Sequence, residues 1–281
     1  MKDILLKYYG FVVKDCKKYS EGIIFFINGD NYYLCRCYLD DAKIKSIYKL
    51  VNDIKNKYCI MFHDFVFNND GNILSDGYVL FKLNVFDGDI DQYDLFKYNS
   101  IIVEEYEKNN FYDMWINIID YLEIQISEIS DNKMINNSFD YFVGIAEMLL
   151  SFYKINKGDL VSNYLSHNNF NSLSSIEFYN PLNVCVNNKY KDIVSYIRLT
   201  NNWEMLHKLI AALNDFEKKY VYVRLAFPFS YFRCINELIV DGVGVEKLME
   251  LVNDINVYED YLVGLDNIFG YKLFYWIKKD N

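Results

Sequence analysis

The sequence predicts an α+β protein with a small mixed N-terminal lobe, residues 1–88, and a larger, mainly helical C-terminal lobe, residues 89–281. In the first lobe, β-rich runs at residues 22–27 and 31–38 flank a turn at residues 28–30, and an Asn-Gly pair between apolar runs favours a β-hairpin. In the second lobe, apolar residues recur at helical spacing. With 281 residues, 52% of them hydrophobic, the chain can bury a substantial core.

The remaining elements of the N-terminal lobe are expected to complete one antiparallel sheet with a helix against it. Residues 1–15 predict a helix or an extended segment. Asp40 and Asp41 are expected to cap the following helix, because an aspartate side chain accepts hydrogen bonds from the free N–H groups at a helix start. Two further strands are predicted at residues 60–67 and 78–85. The chain then breaks at residues 86–89, which we interpret as a hinge.

The C-terminal lobe is expected to consist of amphipathic helices. Ser138 is the predicted N-cap of one helix, since serine favours that position. Pro228 suits either a kink or the first turn of another helix. The predicted helices span residues 113–129, 138–155, 203–216, 220–227, 228–240 and 245–262.

Charge and cysteine content narrow the classes of function. The net charge of −10 and the pI of about 4.9 indicate an acidic surface that repels phosphate backbones, so we expect no nucleic-acid partner. Neither a convincing signal peptide nor an apolar stretch of about 18 residues occurs, so we expect no membrane span and a cytoplasmic location. The six cysteines lack metal-ligand spacing, which predicts free thiols.

The most informative stretch is residues 165–198, LSHNNFNSLSSIEFYNPLNVCVNNKYKDIVSYIR. A Leu-Ser-His run leads into Asn and Ser residues, short strands are predicted at 176–179 and 185–186, and a helix opens at Asp192. This order resembles the catalytic segment of the aminoglycoside phosphotransferase and choline kinase superfamily, where a His-Gly-Asp loop precedes a metal-binding Asp and a helix that begins with a structural Asp. The resemblance implies a protein-kinase-like fold of the aminoglycoside phosphotransferase type.

The same resemblance assigns roles to residues of this stretch. His167 matches the structural histidine of the superfamily, and Asp192 matches its structural aspartate. The catalytic aspartate aligns with Asn169, which follows Asn168, and the metal-binding aspartate aligns near Asn180. An asparagine cannot take up a proton or offer Mg²⁺ a charged oxygen. The resemblance therefore implies the outline of a kinase site without its acids.

The nucleotide-binding cation of the superfamily is also altered. A superfamily kinase places a Lys on its third strand and a Glu in the next helix, which holds that Lys. Here the only cation at the end of this strand is Arg36, between Cys35 and Cys37, and the following helix contains no Glu. The sequence leaves open which of the three side chains faces the cleft, and an ordinary surface charge is the expected role of Arg36.

Glu177 is the carboxylate nearest to the degenerate loop. Alternation with Ile176 and Phe178 predicts that it points outward from a strand. An alternative interpretation gives it, or Asp159, the part of a displaced acid. His63 and His207 have no companion ligands at metal spacing and are interpreted as ordinary residues.

A second stretch, residues 222–232 with the sequence YVRLAFPFSYF, narrows the resemblance. It is similar to the C-terminal signature of the spore-coat kinase-like family, the CotS and YutH relatives, which share the phosphotransferase fold. This resemblance implies a coat or interaction role. Arg224 within it is predicted to be structural, tying the last helices to the segment around Asp192.

Two functions follow as hypotheses. The first is a catalytically degenerate, kinase-fold protein of bacterial, spore-coat type that uses no cofactor and binds a protein partner or a small molecule in the interlobe cleft. The alternative is an active phosphotransferase that uses ATP and Mg²⁺ with displaced acids. A helical scaffold unrelated to kinases requires the N-terminal strands to pack in another way. Convergence of two carboxylates within the expected cleft between the lobes would separate the first two hypotheses.

Overall fold

The computed structural model describes residues 1–103, 111–129, 133–154 and 163–277. The chain divides into two units. The first unit comprises Met1–Glu105 and Tyr164–Asp192, and the second comprises Tyr106–Asn163 and Ile193–Asn281. The predicted lobe boundary at residue 88 stays a prediction.

The first unit alternates strands with a few helices. Its elements are α1 (Lys2–Tyr9), β1 (Lys17–Tyr19), β2 (Gly22–Ile27), β3 (Asp30–Arg36), α2 (Asp41–Tyr58), β4 (Asp64–Val66), β5 (Leu74–Ser75), β6 (Tyr78–Lys82), α3 (Gln92–Asn99), β7 (Tyr164–His167), α6 (Ser175–Phe178), a 3₁₀ turn (Pro181–Asn183) and β8 (Val184–Asn187).

The second unit is helical in its described part. Its elements are α4 (Phe111–Ile129), α5 (Lys133–Lys154), α7 (Lys191–Thr200), which begins in the first unit, α8 (Trp203–Ala212), α9 (Asp215–Ala226), α10 (Phe229–Asp241), α11 (Val245–Asn253) and α12 (Ile255–Phe269).

The N-terminal strands form one antiparallel sheet in the order β1-β2-β3-β6-β4, with β5 pairing to β6. The predicted hairpin joins β2 to β3, and its register pairs Ile27 with Asp30. Asn28 and Gly29 both have positive φ, 52° and 91°, which is the conformation that a two-residue hairpin turn requires. The antiparallel sheet and the helical remainder confirm the predicted α+β class.

Helices cover both faces of this sheet. The predicted cap of α2 is confirmed, because the Asp40 side chain accepts a hydrogen bond of 2.8 Å from the Lys43 N–H. On one face Cys35 and Ile44 share a core with Ile176, which arrives from the later segment. On the other face Leu34 packs with Leu5 of α1. The sheet is therefore buried on both sides, and alternation along β3 separates the two cores.

One predicted strand is much shorter than expected. The run at residues 60–67 contributes only β4, which pairs with β6 from Asp64↔Lys82 to Val66↔Leu80. The backbone N–H of His63 instead donates to the Tyr179 carbonyl at 3.0 Å. Because that donor is used outside the sheet, strand pairing begins only at the next residue.

Two helix predictions in the second unit are wrong in detail. Ser138 is not an N-cap, because α5 begins upstream, and its hydroxyl bonds to the Ile135 carbonyl and the Tyr231 hydroxyl at 2.9 and 2.8 Å. The predicted helix at residues 245–262 is two helices, α11 and α12, which meet at Asp254. Asp and Asn are poor helix formers, and the Asn253-Asp254 pair marks this break.

No helix within the described ranges is both long enough and apolar enough to span a bilayer.

Gly22 allows β2 and β3 to approach each other closely. A β-carbon at this position would lie 2.1 Å from the Leu34 carbonyl oxygen and 2.8 Å from the Tyr33 ring. We expect Gly22→Ala to destabilise the protein by about 1–3 kcal/mol, the usual cost of overpacking. Thermal denaturation followed by circular dichroism measures this change.

Gly144 in α5 provides the matched control, because a β-carbon there meets nothing within 4 Å. Gly144→Ala is expected to stabilise the protein by about 0.5–1 kcal/mol, since alanine favours a helix interior. Equal melting temperatures for the two variants would show that the approach at Gly22 is not tight.

Candidate functional site

The β7–β8 hairpin presents the polar loop at residues 168–183. Its register pairs Leu165 with Val186 and His167 with Val184. The Asn168 N–H then donates to the Asn183 carbonyl at 2.6 Å, so the first and last residues of the loop are hydrogen-bonded to each other. The predicted strand at residues 185–186 and the helix at Asp192 are both confirmed.

A network of buried hydrogen bonds joins the end of β7 to the start of α7. The carboxylate of Asp192 accepts from the Ser166 hydroxyl at 2.7 Å, from the His167 N–H at 3.0 Å and from His167 Nδ1 at 2.8 Å. All three residues are 0% exposed. Their contacts satisfy the carboxylate where water cannot.

The imidazole of His167 carries both of its protons in this arrangement. Nδ1 faces the Asp192 carboxylate, and Nε2 lies 2.9 Å from the Phe178 carbonyl. Because both partners are acceptors, both nitrogens must donate. Burial raises the pKa of Asp192, but His167, followed by Lys191 and Ser166, more than offsets this effect and lowers that pKa below its usual value. The pair is therefore a buried ion pair, and the ring of Tyr98 stacks on the imidazole at 5.4 Å.

Two histidines hold the short helix α6. His63 Nε2 donates to the Ile176 carbonyl at 3.1 Å, and the His63 N–H donates to the Tyr179 carbonyl at 3.0 Å. His167 Nε2 donates to the Phe178 carbonyl, which lies between those two carbonyls in the sequence. These carbonyls belong to the end of a helix, where no intrahelical donor reaches them. The predicted strand at residues 176–179 is therefore wrong, because donors from distant parts of the chain stabilise a helical turn instead.

His63 is neutral in the folded protein. Burial lowers its pKa from 6.5 to about 4. Its Nδ1 accepts the Asn84 N–H at 3.2 Å, which leaves Nε2 as the protonated nitrogen. Nothing in the local sequence distinguishes this histidine from an ordinary core residue, and sequence reasoning missed its contacts with the loop.

Asn169, which the sequence resemblance aligns with the catalytic aspartate, is exposed on the loop. Its N–H donates to the Asn183 side-chain oxygen at 2.8 Å, and its carbonyl accepts from the Asn183 amide at 2.7 Å. Asn168 is also exposed, and its amide nitrogen lies 3.4 Å from the Val184 carbonyl. The pair of amides fixes the loop backbone, but an amide cannot act as a general base.

Asn180, which the sequence resemblance aligns with the metal-binding aspartate, has a structural contact. It is buried, and its side-chain oxygen accepts the Leu182 N–H at 3.0 Å at the start of the 3₁₀ turn. Its amide oxygen is therefore already engaged by the backbone.

Glu177 is not the outward strand residue that alternation predicts. It belongs to α6 and is half-buried, and burial raises its pKa. Its carboxyl lies near Tyr33 and Cys35, since its charge contributes to the raised pKa of each, after burial as the main cause. The raised pKa makes this carboxyl a better proton acceptor than an exposed glutamate, whereas burial holds the Cys35 thiol in its neutral form.

Arg36 lies on the far face of the sheet from these groups. Cys35 and Cys37 belong to the core that contains Ile176, whereas Arg36 is exposed and stacks over the Tyr38 ring at 5.1 Å. The β3 side chain that faces Glu177 is therefore a neutral cysteine. All six cysteines are free thiols, and four of them are buried.

No group of three His, Cys, Asp or Glu side chains in the described ranges is arranged to hold a metal ion. Asp159, the alternative acid, lies outside those ranges. His207 is exposed on α8.

Sequence reasoning missed Lys191, whose ammonium contacts the His167 carbonyl and lies 3.3 Å from the Asn168 carbonyl. A basic residue directly before Asp192 was the available signal.

Arg224 in the second unit has aromatic rather than acidic neighbours. Its guanidinium lies 5.5 Å from the Trp115 ring centroid and 5.7 Å from that of Tyr220. Its predicted tie to the segment around Asp192 stays a prediction. The ring contacts support a packing role through cation–π attraction.

Comparisons with known proteins agree with the fold. No family model matches the chain, and no curated protein matches it significantly by sequence. An aminoglycoside phosphotransferase from Alicyclobacillus acidocaldarius matches with a TM-score of 0.64 at 11% identity, over 92% of this chain and 93% of that one. A spectinomycin phosphotransferase in complex with ADP and spectinomycin matches with a TM-score of 0.54 at 13% identity, over 96% of both chains.

An amicoumacin kinase in complex with AMP-PNP, Ca²⁺ and its substrate matches with a TM-score of 0.53 at 12% identity, over 94% of this chain and 91% of that one. At such identities the likeness concerns the fold. The predicted kinase-like fold of the aminoglycoside phosphotransferase type is therefore confirmed, whereas membership of the CotS and YutH family stays a prediction.

The lowered pKa of His63 predicts a pH dependence of the unfolding free energy that can be measured. A histidine whose pKa falls from 6.5 to about 4 on folding stabilises the protein above pH 6.5, and this contribution is lost as the pH falls towards about 4. The difference corresponds to roughly 3 kcal/mol of unfolding free energy. We expect His63→Gln, which cannot titrate, to lose this part of the pH dependence.

Urea unfolding between about pH 4 and pH 6.5 measures the effect. His207→Gln, at an exposed position on α8, is the matched control and should keep the wild-type pH dependence. If His63→Gln also keeps it, His63 is not the buried neutral group described above.

Proposed function

We propose that this protein is a catalytically degenerate member of the kinase-like fold that acts by binding. The observation that carries the proposal is the chemistry of the loop after β7. The loop backbone is held by His167, Asp192 and Asn183, while the position aligned with the catalytic acid is the neutral Asn169. Phosphoryl transfer needs a group that accepts or orients the proton of the attacking hydroxyl, and an asparagine cannot accept it.

The sheet gives no support for a phosphate site. Kinases cover the nucleotide phosphates with a glycine-rich loop and neutralise them with a lysine on the third strand. Here the Tyr19 hydroxyl at the β1–β2 turn bonds to the Ser174 hydroxyl at 2.8 Å. The Tyr33 ring packs against Gly22, and Cys35 supplies no charge. These neutral side chains do not fit a Mg·ATP complex.

The need of phosphoryl transfer for Mg²⁺ also supports a binding role rather than catalysis. Mg²⁺ prefers carboxylate oxygens, and Asn180 offers an amide oxygen already bonded to the Leu182 N–H. The described ranges contain no cluster of three acidic, histidine or cysteine ligands. The residues of the loop therefore do not fit the ion.

An active phosphotransferase with displaced acids is the second candidate. One observation favours it: burial raises the pKa of Glu177, which makes its carboxyl a better proton acceptor. Against it, this carboxyl lies beside the neutral thiol of Cys35, and no cation is described there.

The finer part of the proposal is a spore-coat or sporulation-associated role. It is supported by the resemblance of residues 222–232 to the coat-associated family. The protein partner and the small-molecule ligand in the cleft belong to this proposal as predictions. Fractionation of mature spores of the source organism, with detection by antibody, tests the location, and absence from the coat fraction argues against it.

Nucleotide binding tests the main proposal. A ligand at about 100 times its Kd stabilises a protein by about 2.7 kcal/mol, a shift of several degrees in melting temperature. We expect no such shift with millimolar ATP, ADP or AMP-PNP, with or without Mg²⁺. We also expect no ATP consumption with an aminoglycoside, choline or a sugar as acceptor.

Variants distinguish the two candidates if turnover is seen. Loss of activity in Glu177→Ala but not in Glu237→Ala, a partly exposed glutamate on α10, would establish the phosphotransferase with a displaced acid. Activity unchanged in both would place the acid elsewhere and equally contradict the proposed binding role.

A further inference from the structure

The helical second unit contains a cavity of about 390 Å³ that the kinase loop does not explain. Its walls are mainly aromatic, and its volume lies in the range of small-molecule sites. The six aromatic side chains that line it are Phe142, Trp203, Phe227, Tyr231, Tyr258 and Tyr261. They come from several helices within this unit.

The aromatic walls are fixed before any ligand arrives. The Tyr258 hydroxyl donates to the Ala226 carbonyl at 2.6 Å, and the Tyr261 hydroxyl donates to the Leu225 carbonyl at 3.1 Å. These carbonyls lie at the end of α9, where no intrahelical donor reaches them. Because the hydroxyls are engaged there, the two tyrosines offer a ligand their ring faces rather than their polar ends.

The remaining rings are also held by one another. Phe142 stacks on Tyr231 at 3.9 Å with an interplanar angle of 24°. Trp203 lies 5.9 Å from Tyr261 in a tilted arrangement. A flat aromatic ligand matches such walls better than a flexible chain, since aromatic pairs gain from offset and edge contacts and a rigid ring loses little freedom on binding.

Two charged residues of opposite sign also line the cavity, Arg198 and Asp254. Arg198 lies near Tyr258 and Tyr261, and its charge lowers the pKa of each against the larger rise that burial causes. Within the described ranges its guanidinium has neither an ion pair nor a hydrogen bond. In a chain with a net charge of −10, an arginine without a carboxylate partner is suited to an anionic group.

Asp254 limits how much negative charge the cavity accepts. It is exposed at the junction of α11 and α12. A second negative charge on the ligand would meet this carboxylate, which disfavours dianions such as phosphate esters. A single carboxylate is a group that an arginine side chain can bind with two parallel hydrogen bonds.

We propose that this cavity binds a flat aromatic molecule with one carboxylate, with the ring between the aromatic walls and the carboxylate on Arg198. The proposal does not depend on the absence of phosphoryl transfer, because the cavity lies wholly within the helical unit. Its failure and the failure of the proposed function are therefore separate results.

Isothermal titration of the full chain with naphthoate, and with its neutral amide naphthamide, tests the proposal. We expect naphthoate to bind and naphthamide to bind at least roughly tenfold more weakly. Arg198→Met should weaken naphthoate binding by a similar factor, whereas Asp254→Asn should strengthen it. Arg233→Met is the matched control, because Arg233 lies outside the cavity lining and close to Glu237, and it should leave binding unchanged.

A blocking variant checks that the cavity itself is the site. Val257 lines the cavity and is 67% exposed, so Val257→Trp fills the mouth without disturbing the core. We expect it to abolish naphthoate binding while circular dichroism stays that of the wild type. The proposal is overturned if naphthoate does not bind at about 1 mM, if naphthamide binds equally well, or if Arg198→Met and Val257→Trp have no effect.

Discussion

The buried ion pair between His167 and Asp192 is the interaction on which the polar loop depends. Neither side chain is exposed to water, so each must be satisfied by the other and by protein groups. The Asp192 carboxylate accepts a hydrogen bond from Ser166 at the end of β7, and His167 Nε2 donates to the Phe178 carbonyl. Removal of one partner would leave an uncompensated buried charge, which typically costs about 3–5 kcal/mol.

Different residues determine the backbone conformation of the loop and the chemical groups that the loop presents. The residues that hold the backbone, His167 and Asp192, are not those that the resemblance aligns with catalytic and metal-binding acids. Those positions, Asn169 and Asn180, are amides that bond to the backbone locally, as an asparagine does in a turn. The contacts of Asn169 and Asn180 with the backbone require no negative charge at either position, so the shape of the loop does not depend on an acid there.

Local chemistry explains which parts of the fold could be predicted from the sequence. The β2–β3 turn, the Asp40 cap and the helix at Asp192 depend on residues a few positions apart. The segment at residues 176–179 could not be assigned correctly, because its helical turn depends on donors 113 and 11 residues away, His63 and His167. Alternation along β3 separates neighbouring side chains, but only packing decides which face meets the later segment.

Polar groups near the loop are largely engaged by one another, and this affects where a ligand can bind. Tyr19 and Ser174 bond to each other, and Asn180 bonds to the backbone, so a ligand at these groups would have to replace existing hydrogen bonds. The cavity of the helical unit differs in this respect. The side chains of Arg198 and Asp254 form no hydrogen bond or ion pair among the described residues. A ligand in the cavity would therefore displace no hydrogen bond of these two side chains, which supports the proposal that the cavity is a binding site.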